Sequence, residues 1–199
     1  MDSVTYLKEQ KERRITLNDF VMAYYDSLIL PIEDELLPFL KDLVDITFEM
    51  NERLPYVGRI NEYGNHLEEV MLEAIQEKYG KSVTVEKLGS GYPDLRINYQ
   101  GQMIYPELKI SKDIDALTTF RVFYTSTPKE ITKNRKDIKN GYHVLFHFEH
   151  LGPGSLSGRF KVTDLNGFEY TALGNIQQGH YKDLYENHDS VILTEKSVQ

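Results

Sequence analysis

Three residues in the middle of the chain have the types and spacing that metal-assisted hydrolysis of a phosphodiester needs: Asp94, Glu107 and Lys109. Asp94 opens an extended segment, Asp94–Tyr99, and Met103–Ile110 returns beside it after the turn signal Gln100-Gly101. Side chains alternate between the faces of a strand, so Glu107 and Lys109 project together while Leu108 and Ile110 point into an apolar layer. The hairpin folds Asp94 back beside them. Two hard carboxylate ligands suit Mg2+, which prefers oxygen and keeps several waters. Such an ion lowers the pKa of a water and offsets charge on the phosphate, and the ammonium orients or stabilises the hydroxide. The competing reading makes Asp94 a turn residue and Glu107 with Lys109 a surface ion pair of little energetic worth.

Pro93-Asp94 followed by Glu107-Leu108-Lys109 resembles the signature of the PD-(D/E)XK nuclease superfamily, the fold of most type II restriction endonucleases. The resemblance also takes in the preceding helix and spans roughly Gly64 to Ile110. It implies that Asp94 and Glu107 ligate Mg2+, with Mn2+ able to substitute, that the backbone carbonyl of Leu108 is a further ligand, and that Lys109 is the catalytic lysine. It also points to a third acid. Gly64-Asn65-His66-Leu67-Glu68 looks like the glycine-to-glutamate spacing of some members, and on a helical wheel Glu68 borders the inner stripe near Ile75 whereas Glu69 points nearly opposite. Asn65 with Glu68 equally has capping-box spacing, which would make Glu68 a helix-start device.

The function so implied is Mg2+-dependent, site-specific cleavage of double-stranded DNA by a type II restriction enzyme. In-line attack of water on the scissile phosphate would leave 5′-phosphate and 3′-hydroxyl ends. Cutting both strands usually implies a homodimer whose two-fold axis matches a palindromic target. Two rivals stand beside this: a structure-selective repair or recombination nuclease of the same superfamily, and a DNA-binding module without catalysis. The intact Asp/Glu/Lys set argues against a decayed nuclease.

Candidate DNA contacts lie on both sides of the signature. Ser90 and Tyr92 immediately precede Asp94. Thr125, Ser126 and Thr127 offer hydroxyl donors for phosphate oxygens, and Lys129, Lys133, Arg135, Lys136 and Lys139 form the densest basic cluster. An ordinary solvated helix explains that cluster equally well. The loop Gly152–Gly158 with Arg159 reads as a connection, with groove entry as the alternative. His143, His147 and Glu149 alternate on one strand, but histidines four apart lie about 13 Å from each other, too far to share one metal unaided. A half-exposed polar strand face is the reading adopted for them. Most of the 14 tyrosines, such as Tyr24, Tyr25 and Tyr79, are assigned to packing.

These residues must be positioned by a chain of 199 residues that is 40% hydrophobic and 27% charged, which excludes wholesale disorder. It has no cysteine, which excludes disulfides, thiolate metal sites and cysteine nucleophiles. The net charge of −8 is local: eight acids between Asp26 and Glu52 face Lys41 alone, so any basic surface must be a patch, and DNA is not excluded. No apolar run approaches the ~20 residues of a membrane span, so a soluble, cytoplasmic protein without membrane partners is expected.

Helical periodicity marks Leu17, Phe20, Val21 and Tyr24, then Ile32 to Met50, then Glu62 to Tyr79 with Leu67, Val70, Met71, Ala74, Ile75 and Lys78 as its inner stripe and Gly80 as its stop. Extended segments follow at Ser82–Leu88, Phe120–Tyr124, Tyr142–Phe148, Arg159–Asp164, Phe168–Thr171 and Val191–Thr194, with a partly helical stretch over Thr125–Asn140. The expected fold is α/β and restriction-endonuclease-like: a mixed central sheet flanked by helices. An N-terminal helical lobe over residues 1–60, suited to dimerisation or DNA wrapping, would precede a nuclease core with a β-rich C-terminal part over 61–199.

Overall fold

A computed structural model of the chain describes residues 14–89, 92–116, 137–173, 176–178, 184–185 and 190–195. The expected segments Phe120–Tyr124 and Thr125–Asn140 fall outside these residues as far as position 136. After a short strand β1 (Arg14–Thr16), helix α1 (Leu17–Tyr25) starts where the Thr16 hydroxyl accepts from the Asp19 amide at 3.1 Å, satisfying one of the unpaired N–H groups of a helix start. Helix α2 (Leu37–Arg53) has Pro38 in its first turn and buries Leu40, Leu43, Val44 and Thr47 at helical spacing. Helix α3 (Tyr63–Tyr79) buries Leu67, Val70, Met71, Ala74 and Ile75 and ends at Gly80. Lys78 leaves the expected stripe, because its ammonium reaches the carboxylate of Asp42 on α2. No described helix is long and apolar enough to cross a membrane.

Strands β2 (Val83–Lys87), β3 (Leu95–Tyr99), β4 (Gln102–Ser111), β5 (Tyr142–Gly152), β6 (Ser155–Asp164) and β9 (Val191–Thr194) form a six-stranded sheet in the order β2-β3-β4-β5-β6-β9. All neighbours are antiparallel except β4 and β5, which run parallel from Ile104 beside Tyr142 to Ser111 beside Glu149. A three-stranded sheet joins β1, β7 (Glu169–Leu173) and β8 (Ile176–Gln178). The architecture is the expected mixed α/β sheet flanked by helices. Gly154 turns the β5–β6 hairpin at a φ of 78°, and a Cβ there would lie 2.4 Å from the Tyr56 carbonyl oxygen, so only glycine fits. This loop is a tight connection. Arg159 behind it is held by Asp115, Glu149 and Glu195.

Period-2 alternation assigns the faces. Leu108, Val144, Phe146 and Phe148 join α2 and α3 in one apolar core, while Leu145, Tyr92, Leu165 and Tyr170 join α1 in a second core on the opposite face. The helices on either side of position 60 therefore share cores with the sheet.

The strand face of His143, His147 and Glu149 is not half-exposed. His143 and His147 are 0% and 1% accessible, with Tyr92 and Tyr105 packed against the first and Tyr185 stacked beside the second. The Tyr92 hydroxyl meets His143 Nδ1 at 2.5 Å, the Tyr185 hydroxyl meets His147 Nδ1 at 2.7 Å, and Ser111 Oγ meets His147 Nε2 at 2.8 Å. Glu149 accepts from Arg159 at 2.9 Å and from the Ile114 amide at 3.2 Å. Burial pushes both imidazoles down to about 3, with Lys161 and Lys109 adding to the effect at His147. The folded protein thus keeps both neutral, whereas the unfolded chain takes up protons near pH 6.5. Their contribution to stability is complete above pH 6.5 and is lost as pH falls toward 3, at up to about 1.4 kcal/mol per pH unit for each histidine. Urea unfolding between pH 6.5 and 5 should show this slope, and His143→Asn should flatten it. A stability that does not change across that interval would contradict the assignment.

Candidate active site

The site is built by a hairpin that ends in a side-chain bond. Gln100 and Gly101, both at positive φ (52° and 84°), make the two-residue turn between β3 and β4. The regular pairing runs from Tyr99 beside Gln102 to Ile97 beside Ile104, and beyond it the chain keeps Asp94 against the Pro106–Leu108 stretch of β4. The Asp94 amide donates to the Pro106 carbonyl at 3.2 Å, and the Asp94 carbonyl accepts from Leu88 at 2.9 Å. Its carboxylate then turns inward, and Oδ2 accepts the Leu108 amide at 2.8 Å. Asp94 is thereby fixed to the strand that carries the other acid.

Glu107 and Lys109 face the same side of β4, as their alternation requires, and they are largely enclosed, with side-chain accessibilities of 3% and 17%. The Lys109 ammonium lies among the oxygens: 2.5 Å from Glu107 Oε1, 3.0 Å from the Leu108 carbonyl and 3.9 Å from Asp94 Oδ2. Burial opposes its charge, but Glu107 and Asp94 outweigh that and hold the amine above its usual range. It is a cation at neutral pH.

Glu68 joins the cluster from α3. The helix begins at Tyr63 with Glu62 in the capping position and no side-chain cap bond, so Asn65 lies inside the first turn and the capping-box explanation of Glu68 does not hold. Glu68 Oε2 instead lies 2.9 Å from Lys87 Nζ. Burial raises the Glu68 pKa and the charge of Asp94 raises it further, against the opposing pull of Lys87 and Lys109. Lys87, the last residue of β2, carries no motif that singles it out in the sequence. It bridges Glu68 and Glu69, the latter at 2.6 Å. Its only sequence signal is a lysine ending the strand before the turn-rich segment.

The donor set fits a divalent cation. Asp94, Glu107 and the Leu108 carbonyl offer hard oxygens from two paired strands, and the ammonium nested among them shows that this oxygen cage accepts positive charge. Among the described residues no three histidine, aspartate or glutamate side chains converge to enclose a metal on their own.

Of the remaining expected site residues, Tyr92 lies among the described ones. Tyr92 is 3% accessible, with its ring in the α1 core and its hydroxyl on His143, so the expected DNA-facing side chain is a packing group. Ser90, Thr125, Ser126, Thr127, Lys129, Lys133 and Arg135 lie outside the described residues.

The sequence profile of the type II restriction enzyme MjaV family matches residues 9–188, a span holding Glu68, Asp94, Glu107 and Lys109. No curated protein and no solved structure matches the chain. With nearly the whole length covered, including every strand from β1 to β8, the chain belongs to the MjaV family of type II restriction enzymes, which are endodeoxyribonucleases.

Proposed function

We propose that the chain cleaves double-stranded DNA at a specific sequence with Mg2+, or Mn2+ in its place, leaving 5′-phosphate and 3′-hydroxyl ends. The observation that carries this reading is the Lys109 ammonium nested between Glu107, Asp94 and the Leu108 carbonyl on neighbouring strands. Asp94, Glu107 and the Leu108 carbonyl would hold the ion. When bound, it supplies charge neutralisation at the phosphate and acidifies a water.

The chain's own groups do the rest. Asp94 and Glu107 keep their oxygens in place because backbone bonds fix both strands. Lys109 is assigned as a positioned donor, its ammonium held at Glu107 Oε1 and the Leu108 carbonyl. From Nζ it stabilises the attacking hydroxide or the growing charge on the phosphate. Water attacks phosphorus in line with the 3′ oxygen, the P–O3′ bond breaks, and that oxygen takes a proton to give the 3′-hydroxyl. Glu68, which reaches the cluster from α3 and pairs with Lys87, is assigned the third acidic role.

Cutting both strands calls for two such sites, and a homodimer supplies them; the N-terminal helices are proposed to contribute to dimerisation or to the DNA path. Ser90, Thr125, Ser126, Thr127, Lys129, Lys133 and Arg135 are proposed as phosphate and base contacts on charge and hydroxyl content. The enzyme is proposed to act in the cytoplasm.

Plasmid digestion with Mg2+ followed by end sequencing tests the reading directly: discrete fragments are expected, and a smear or junction-only cutting would favour a structure-selective nuclease. Lys109→Ala should lower cleavage by about 10²-fold or more, yet bind Mn2+ more tightly in calorimetric titration, because Nζ no longer occupies Glu107 Oε1 and the Leu108 carbonyl. Asp94→Asn should lose both activity and Mn2+ affinity. Wild-type cleavage by Lys109→Ala would contradict a catalytic lysine. Glu68→Gln should slow cleavage roughly 10- to 100-fold with an unchanged melting transition. A variant that instead melts early and still cuts would mark Glu68 as structural.

A further inference from the structure

We propose that Lys87 is a DNA-binding residue of this site, contacting the phosphate backbone of the cleaved strand from the rim of the acidic cluster. The inference rests on the nuclease reading above and adds a residue to it. Lys87 closes β2 directly opposite Leu95, and the next residue, Leu88, donates its amide to Asp94. Its ammonium reaches the cluster through Glu68 Oε2 at 2.9 Å, with Glu69 Oε1 at 2.6 Å.

Exposure separates the two lysines. Lys109 is enclosed by its carboxylates, whereas the Lys87 side chain is 33% accessible and stands where a ligand approaching from solvent would meet it. A lysine ammonium has three N–H donors. Two are directed at Glu68 and Glu69, which leaves the third for a phosphate oxygen.

The charge balance points the same way. Glu68, Asp94 and Glu107 against Lys109 leave an excess of two negative charges, which repels a phosphodiester. One divalent ion only cancels that excess. With Lys87 and its second partner Glu69 both counted, the ion-loaded site is neutral, and without Lys87 it would carry a net negative charge that repels the phosphodiester. A lysine whose sole task was to clamp α3 to β2 would not need its position beside the acid cluster, since Glu69 alone, on the exposed side, would serve.

The test compares Lys87→Gln, Lys87→Arg and Glu69→Gln with the wild type, using fluorescence anisotropy of a mixed-sequence 30-base-pair duplex in Ca2+ across a KCl series, and steady-state plasmid cleavage in Mg2+. Lys87→Gln should reduce the slope of log affinity against log salt by about 0.9, the loss of one phosphate contact, and raise KM about tenfold with a smaller change in kcat. Lys87→Arg should restore the slope, and Glu69→Gln should keep both slope and cleavage. If Lys87→Gln does not fold, Lys87→Met, which keeps the aliphatic stem, takes its place. An unchanged slope and KM in the charge-removing variant would overturn the proposal, as would Glu69→Gln reproducing its loss. A wild type that neither binds nor cuts any DNA would overturn the nuclease reading itself, a result distinct from either of these.

Discussion

Two carboxylates and an amine can be held together in a protein interior only if something other than their own attraction fixes them. In this fold the backbone does it. The Leu108 amide, at the centre of the acid-x-lysine triplet, donates to the carboxylate of Asp94 at 2.8 Å, and the Asp94 amide returns a bond to Pro106. A side-chain bond therefore extends the ladder at the point where regular β3–β4 pairing ends. It holds Asp94 beside Glu107 despite their like charge, and the Lys109 ammonium between them offsets the repulsion. Removing the cation without replacing it would leave two enclosed anions with little solvent to screen them.

The rest of the sheet makes that arrangement rigid. Leu108 faces the core beneath α2 and α3 while its neighbours Glu107 and Lys109 face the other way, so one strand anchors itself in hydrocarbon and presents chemistry at the same time. The parallel partner β5 is buried on both faces, its own phenylalanines in the core on one side and its hydrogen-bonded histidines on the other. Its His147 lies directly beside Lys109 in the ladder and stays neutral, adding no further charge to the site. Glu68 arrives from α3, whose inner stripe is seated on the same core, so the third acid is placed by packing rather than by a loop.

Much of this is legible in the sequence because it is encoded locally. Alternation in Ile104–Ile110 puts Glu107 and Lys109 on one face, Gln100-Gly101 forces the hairpin, and the stripes of α2 and α3 follow from their 3.6-residue period. What escapes depends on partners distant in sequence. His143 and His147 read as a polar face because nothing nearby reveals that Tyr92 and Tyr185 cover them, 51 and 38 residues away. Tyr92 reads as a surface group for the same reason. Asn65 and Glu68 have capping-box spacing, but the helix starts two residues before Asn65, which no local rule determines. Lys87 acquires meaning only from α3, 18 residues upstream at Glu69.

The oxygens now gathered round the Lys109 ammonium are proposed as the cation site of a DNA-cleaving enzyme. Crystals grown with Mn2+ and measured at the manganese absorption edge test it most directly. An anomalous peak is expected between the carboxylates of Asp94 and Glu107, with the lysine ammonium withdrawn from Glu107. A protein that cuts DNA in Mn2+ yet shows its only anomalous peaks elsewhere would contradict it.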